Sequence, residues 1–161
     1  GDCDDLDHCR PINQWGSCTG QIFSEVSPEM HWEFALQYEA KWLERWGLTY
    51  YGCCEPLDGK IDIIRKIPHV RKISMSPWVQ IERGAERIGE DFVFSRKPSP
   101  AFLAVDAWNA EAVETDLRET LEGCERHGCP AEFILKDIST VRYEPQRLWE
   151  WEDVAMRGVG R

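Results

Sequence analysis

Hydrophobic and polar positions fall first into a helical rhythm at "SPEMHWEFALQYEAKWLERWG", residues 27–47, where Met30, Phe34, Trp42 and Trp46, with Ala35, Leu36, Tyr38 and Leu43, recur at helical spacings. Ser27 suits the N-cap, Pro28 the first turn and Gly47 the end. The rhythm then changes. "LTYYGCC" is a short aromatic and β-favouring run that stops at Glu55-Pro56, as a buried strand would. "DGKIDIIRKIP" predicts a short helix, "RKISMS" a second strand, "VQIERGAERIG" a helix and "DFVFS" a third strand. "NAEAVETDLRETLEGCERHG" predicts a long helix closed by Gly128, "AEFILKDI" a fourth strand and "EPQRLWEWEDVAMR" a last helix.

The strands are short and apolar on both faces, and they alternate with helices. That order implies an α/β fold with a parallel sheet and helical crossovers. Residues 1–20 show no period and read as an irregular first segment; residues 21–161 carry the four strand–helix units. A full (βα)8 barrel needs about 250 residues, so four units equal half of one. The pattern leaves two architectures open, a small open α/β domain or the C-terminal half of a TIM barrel.

The 161 residues, 42% of them hydrophobic, suffice for one domain with its own core. No run approaches the ~20 apolar residues of a membrane span, and the acidic start "GDCDDLDHCRP" does not read as a signal peptide, so a cytoplasmic protein with no membrane partner is expected. The net charge of -10 argues against nucleic-acid binding and leaves room for local basic spots that hold a small anion. Seven cysteines are an odd number for a disulfide framework, so reduced thiols are the expectation. Adjacent Cys53 and Cys54 are poor partners for each other.

Ligands of a parallel sheet gather at the carboxyl ends of its strands. Here those ends read "GCCEP", "SMSPW", "SRKPSP" and "LKDISTVRYEP". Strand alternation sends one of the two adjacent thiols to the mouth; the reading assigns that place to Cys54, as metal-bound thiolate or nucleophile, and packs Cys53 away. Glu55 and Asp137 are the candidate proton handlers or ligands. Arg96, Lys97, Lys136 and Arg142 are the candidate anion-binding groups, with Ser76, Trp78 and Tyr143 also at the substrate. Cys124, His127 and Cys129 straddle a helix end and read as structural, and the Cys3–Cys9 cluster "CDDLDHC" is a weak metal signal. His31 and His69 read as core or surface side chains, and one of Trp149 and Trp151 should face away from the core.

The succession "SPEMHWEFALQYEAKWLERWG", "YYGCCEP", "HVRKISMSPWVQIERGAERIG", "DFVFSRKPSPAFLA" resembles the C-terminal half of the uroporphyrinogen decarboxylase superfamily across residues 21–156. The superfamily includes zinc methyltransferases that move methyl groups between corrinoid proteins and thiols. The resemblance implies a TIM barrel of which this chain is the second half. It places Cys54 on the family's zinc-ligating cysteine, with Gly52 where the family carries histidine and no cysteine after the last strand. It implies a methyltransferase-like enzyme acting on a small anionic substrate, with zinc at Cys54 and a corrinoid as methyl donor or acceptor. A lyase that decarboxylates a small carboxylated substrate, or a non-catalytic binding module, are the alternatives. A half-barrel with open sheet edges would associate with itself or with a separate N-terminal half.

Overall fold

Four of the predicted strands and the major helices occur where the hydrophobic pattern puts them in the computed structural model, which describes residues 10–160. The chain is α/β, with one five-stranded, all-parallel sheet whose spatial order follows the sequence: β1 (Trp15–Cys18), β2 (Leu48–Tyr51), β3 (Val70–Met75), β4 (Val93–Arg96) and β5 (Ala131–Phe133). Consecutive order means that every crossover steps the same way, as in a segment of a (βα) barrel. The expectation of four strands and an irregular residues 1–20 is corrected at one point: β1 lies inside that segment and pairs with β2 from Trp15↔Leu48 to Cys18↔Tyr51. The fourth predicted strand, "AEFILKDI", is ladder-paired only over Ala131–Phe133, and Lys136 and Asp137 fall in the loop beyond it. The Cys3–Cys9 cluster lies outside the described residues.

The first helix runs as α1 (Pro28–His31), a π-helical stretch (Trp32–Leu36) and α2 (Gln37–Leu43), and the Ser27 hydroxyl caps it by accepting the Met30 N–H at 3.2 Å. The later crossovers carry α3 (Ile61–Ile64), α4 (Ile81–Ile88), the short α5 (Ala101–Ala104) and α6 (Ala110–Arg126), and α7 (Gln146–Val159) closes the chain. Asn109 caps α6 through the Ala112 N–H at 3.1 Å, and Gly128, at φ +63°, turns the chain out of it. No helix among the described residues is long and apolar enough to cross a membrane.

Alternation along the strands divides the sheet's two faces. Tyr51, Ile73, Met75 and Phe94 pack with Leu36, Leu43, Ile61, Ile64 and Ile88 of the helices into the main core, and Leu103, Val113, Leu117, Trp151 and Val154 make a second cluster between α5, α6 and α7. Trp151 is buried there while Trp149 is exposed, as two tryptophans two residues apart on one helix require. The opposite face carries Trp15, Tyr50, Lys72, Ser74, Ser95 and Glu132, none of them in either core cluster. These residues pair with one another instead. Lys72 Nζ meets Glu132 Oε2 at 2.5 Å and lies over the Trp15 ring, and Tyr50 Oη meets Ser95 Oγ at 3.0 Å.

Beneath the helical face, burial leaves a titratable relay. The Tyr51 hydroxyl donates to Glu39 Oε2 at 3.0 Å, so it accepts from His31 Nε2 at 3.0 Å, and His31 Nδ1 is left bare. Burial first, and then Lys60, pull His31 down from 6.5 to about 4, against the pull of Glu55. Above pH 6.5 neither folded nor unfolded chain protonates this ring. Between 6.5 and 4 the unfolded chain takes a proton that the folded one refuses, so stability falls as pH falls. A loss of about 2 kcal/mol between pH 7 and pH 5 is expected from His31. Glu39, whose pKa burial raises, acts in the opposite sense at the acid end. Urea-unfolding midpoints of the wild type and His31→Gln across pH 5–7 check this, because the difference between them should shrink with acid by that amount.

Candidate functional site

Gly52 ends β2 at φ +100°, a conformation side-chain-bearing residues avoid; a Cβ there would stand 2.4 Å from Leu57 Cδ1 and 2.9 Å from Ser74 Cβ. The turn carries Cys53 and Cys54 to the carboxyl end of the sheet. Their backbone is fastened from two sides: Glu55 Oε2 accepts the Cys53 N–H at 2.9 Å, and the Ser74 hydroxyl donates to the Cys53 carbonyl at 2.6 Å. Glu55 Oε1 accepts the Gly20 N–H at 2.9 Å, so this buried carboxylate ties the end of β1 to the thiol loop. That geometry gives Glu55 the duty of a clamp.

Across the mouth, the loop after β5 brings Lys136 and Asp137 onto the thiols. Asp137 sits at φ +57°, a left-handed conformation that aspartate tolerates better than most residues. Lys136 Nζ lies 3.1 Å from Cys53 Sγ, 3.0 Å from Cys54 Sγ and 3.0 Å from Asp137 Oδ2. The Cys54 thiol donates to Asp137 Oδ2 at 3.2 Å, and the two sulfurs are 3.5 Å apart. Both sulfurs therefore belong to the cluster, whereas Cys53 was expected to pack away from it.

The charge states follow from these contacts. Lys136 pulls the Cys54 thiol down, but burial, Asp137 and Cys53 together push it above its ordinary value. Burial works against the Lys136 ammonium, and its bonds to Cys54, Cys53 and Asp137 overcome this and raise it. Lys136 and then Cys54 hold the Asp137 carboxyl below its usual range. At neutral pH the cluster is thus a thiol, an ammonium and a carboxylate. In a Cys53→Ser background, Lys136→Met should move the pH midpoint of Cys54 alkylation up and Asp137→Asn should move it down, each by about one unit. Mass-resolved iodoacetamide kinetics read both shifts.

Lys97 follows β4 on the same face as Ser95. It is 6% exposed, donates to Ser74 Oγ at 2.5 Å and to Tyr50 Oη, and lies over the Tyr50 ring. Among the described residues no carboxylate forms an ion pair with it. Buried cations are normally paired. Lys97, Cys54, Lys136, Asp137, Trp78 and a wall of Pro77, Pro98 and Pro100 line one open cavity of about 350 Å³.

Other expected site residues go elsewhere. Arg96 turns to the opposite face from Lys97, donating to the Ser76 carbonyl at 2.6 Å and pairing with Asp116 at 3.0 Å. Ser76 is buried, and its hydroxyl accepts the Trp78 N–H at 3.4 Å. Arg142 pairs with Asp106 on the surface, and Tyr143 is wholly exposed; neither lines the cavity. Cys124 and Cys129 pack in the core while His127 Nε2 meets Glu82 Oε1 at 2.7 Å, as the structural reading of that stretch requires. Tyr50 and Ser74, not singled out from the sequence, hold Lys97; the strand register Tyr50↔Lys72 and Ser74↔Ser95 puts both on the open face.

For zinc the donor set is short. Among the described residues no three His, Cys, Asp or Glu side chains form a group that could hold a metal ion, and the point where the two sulfurs converge is met by the Lys136 ammonium. Comparison with protein-family models, with curated proteins and with solved structures returns no match to this chain, so the site is interpreted from its own geometry.

Proposed function

We propose that the chain is the C-terminal half of a uroporphyrinogen decarboxylase-type barrel, and that its strand-end cavity decarboxylates a small substrate bearing an apolar body and two carboxylates. The observation that carries this reading is Lys97, a buried lysine on the cavity lining whose ammonium has hydroxyl partners and no ion pair to a described carboxylate. One substrate carboxylate supplies the missing charge there, by a charge-assisted hydrogen bond. The other lies against Trp78 and the prolines, whose apolar surfaces replace water on that side of the carboxylate and favour loss of neutral CO2. The carbon–carboxylate bond breaks, CO2 leaves, and the electron pair left on carbon takes the proton of the Cys54 thiol. The resulting thiolate is held by Lys136 at 3.0 Å until solvent returns a proton. A thiol kept protonated at neutral pH is suited to this general-acid step.

Methyl transfer is the second reading, favoured by one observation: Lys136 puts positive charge on both sulfurs, the electrostatic service a metal gives a thiolate. A thiolate would attack the methyl carbon of a donor such as a corrinoid, the electron pair of the broken bond leaving with the donor.

Phenylmalonate, with two carboxylates on an aromatic body, tests the first reading. Appearance of phenylacetate and CO2 that is lost in Cys54→Ala supports it. Transfer of methyl from methylcobalamin to 3-mercaptopropionate without any such decarboxylation transfers support to the second, and neither product, with benzoate still bound, to a non-catalytic binding module. The sheet leaves β1 and β5 each with one neighbour, and Met30, Phe34, Tyr38 and Trp42 stand exposed along the first helix. We place self-association or a separate N-terminal half at these edges. Sedimentation velocity should show the chain larger than a monomer, or a monomer that gains mass with the partner half.

A further inference from the structure

We propose that Cys53 and Cys54 form a chelating dithiol site for a trivalent arsenical, a thiophilic electrophile that carries two exchangeable hydroxyl groups on one atom. The inference uses the cavity described above and is independent of the decarboxylation reading, since it requires no turnover.

Sequence adjacency sets the chemistry. Neighbouring Cα atoms are about 3.8 Å apart, short of the ~4.4 Å at which disulfides begin, so a direct sulfur–sulfur bond between these residues strains the intervening peptide. The two sulfurs stand 3.5 Å apart, well beyond bonding distance but suited to two ligands of one shared atom. A third atom between them enlarges the ring and relieves the strain. One nitrogen lies 3.1 and 3.0 Å from the two sulfurs, so both can direct lone pairs to a single point; arsenic takes that point on binding and the Lys136 ammonium withdraws from it.

Three further features fit such a ligand. The clamps from Glu55 and Ser74 on the Cys53 backbone fix the loop in advance, so little ordering is needed on binding. Cys53 and Cys54 are both half-buried, open enough to react, whereas Cys124 and Cys129 are buried. Beside Cys54 the cavity wall of Pro77, Trp78, Pro98 and Pro100 accepts an organic group on the arsenic.

The reaction balances without an oxidant. Two arsenic–oxygen bonds break and two arsenic–sulfur bonds form. Each thiol proton leaves with a hydroxyl group as water, and arsenic and sulfur keep their oxidation states. Asp137, which already accepts the Cys54 thiol proton at 3.2 Å, relays one proton, and the displaced Lys136 ammonium keeps a partner in Asp137 Oδ2, 3.0 Å from it before binding.

The test uses phenylarsine oxide on the reduced, full chain under anaerobic conditions, followed by intact-mass spectrometry. One adduct per chain is expected, stable to excess glutathione and released by 2,3-dimercaptopropanol. Cys53→Ser and Cys54→Ser should each release the adduct to glutathione about a hundredfold faster, because the second bond of a chelate is intramolecular. Cys18→Ser should leave release unchanged. Cys53→Ala and Cys54→Ala, checked for native circular dichroism, repeat the measurement where serine disturbs the loop. Retention unchanged in either folded position-53 or position-54 variant, or a wild-type adduct released by glutathione as fast as those variants, overturns the proposal.

Discussion

Lys97→Met should weaken binding of benzoate in the strand-end cavity about a hundredfold while raising the unfolding free energy by about 1 kcal/mol. The two signs come from one physical fact. Lys97 is 6% exposed and has hydroxyls and an aromatic ring for company, with no ion pair to any described carboxylate. Burying an ammonium in that way costs desolvation that hydroxyls only partly return. Methionine removes the cost, and it orphans nothing: Tyr50 Oη keeps Ser95 Oγ at 3.0 Å and Ser74 Oγ keeps the Cys53 carbonyl at 2.6 Å. A ligand carboxylate, however, loses its principal counter-charge, a charge-assisted bond to a buried ammonium worth about 3 kcal/mol. Calorimetric titration with benzoate and urea unfolding, run on the same preparations, give both numbers. A variant that is less stable and still binds would make Lys97 a structural cation and remove the main support for an anionic substrate.

The contrast between Lys97 and Arg96 shows what the sequence left undecided. Both stood out as cations at a strand end, but a strand's period of two sends neighbours to opposite faces. Only the register decides which face is which, and Met75↔Arg96 puts the arginine among the helices, on Asp116. The long helices were legible because their signals are local: the Ser27 cap and the glycine after α6 act where the sequence places them. β1 was not. "WGSC" is four residues with a glycine and a serine, and nothing local favours a strand; it is extended because β2 offers it a parallel edge from Leu48 to Tyr51. The end of "AEFILKDI" was overread for the converse reason. Its apolar run continues, but β4 ends at Arg96, whose carbonyl accepts the Ile134 N–H at 2.9 Å, and beyond that point the chain has no partner strand. That early release is what frees Lys136 and Asp137 to reach the thiols. Their chemistry was visible in the sequence, whereas their convergence on both cysteines, including Cys53, joins positions more than 80 residues apart.

Glu55→Ala should cost about 4 kcal/mol of stability and loosen the thiol loop, an effect larger than that of any change at the exposed cations. Glu55 is 2% exposed, and its two oxygens each accept a backbone N–H at 2.9 Å, one from Gly20 and one from Cys53. Alanine leaves the buried Gly20 N–H and the half-buried Cys53 N–H without a partner. Charge-assisted bonds of this kind contribute about 1.5–3 kcal/mol each, and the two share one carboxylate, so their loss is less than their sum. Glu55→Gln separates charge from shape. It fills the same volume, but its amide nitrogen is a donor facing a donor, so it should cost about 2 kcal/mol rather than nothing. With the clamp gone, the Cys53 backbone is held only by Ser74, and alkylation of both thiols at fixed pH should accelerate. Urea midpoints and peptide-resolved alkylation rates measure the two consequences. From its place in the sequence Glu55 is a candidate proton handler or ligand instead, and the same variants discriminate between the two roles. If Glu55→Gln keeps wild-type stability and loop reactivity yet abolishes decarboxylation of phenylmalonate, the carboxylate is working on the substrate; if stability and loop order fall together, it is the clamp that sets the thiols in place.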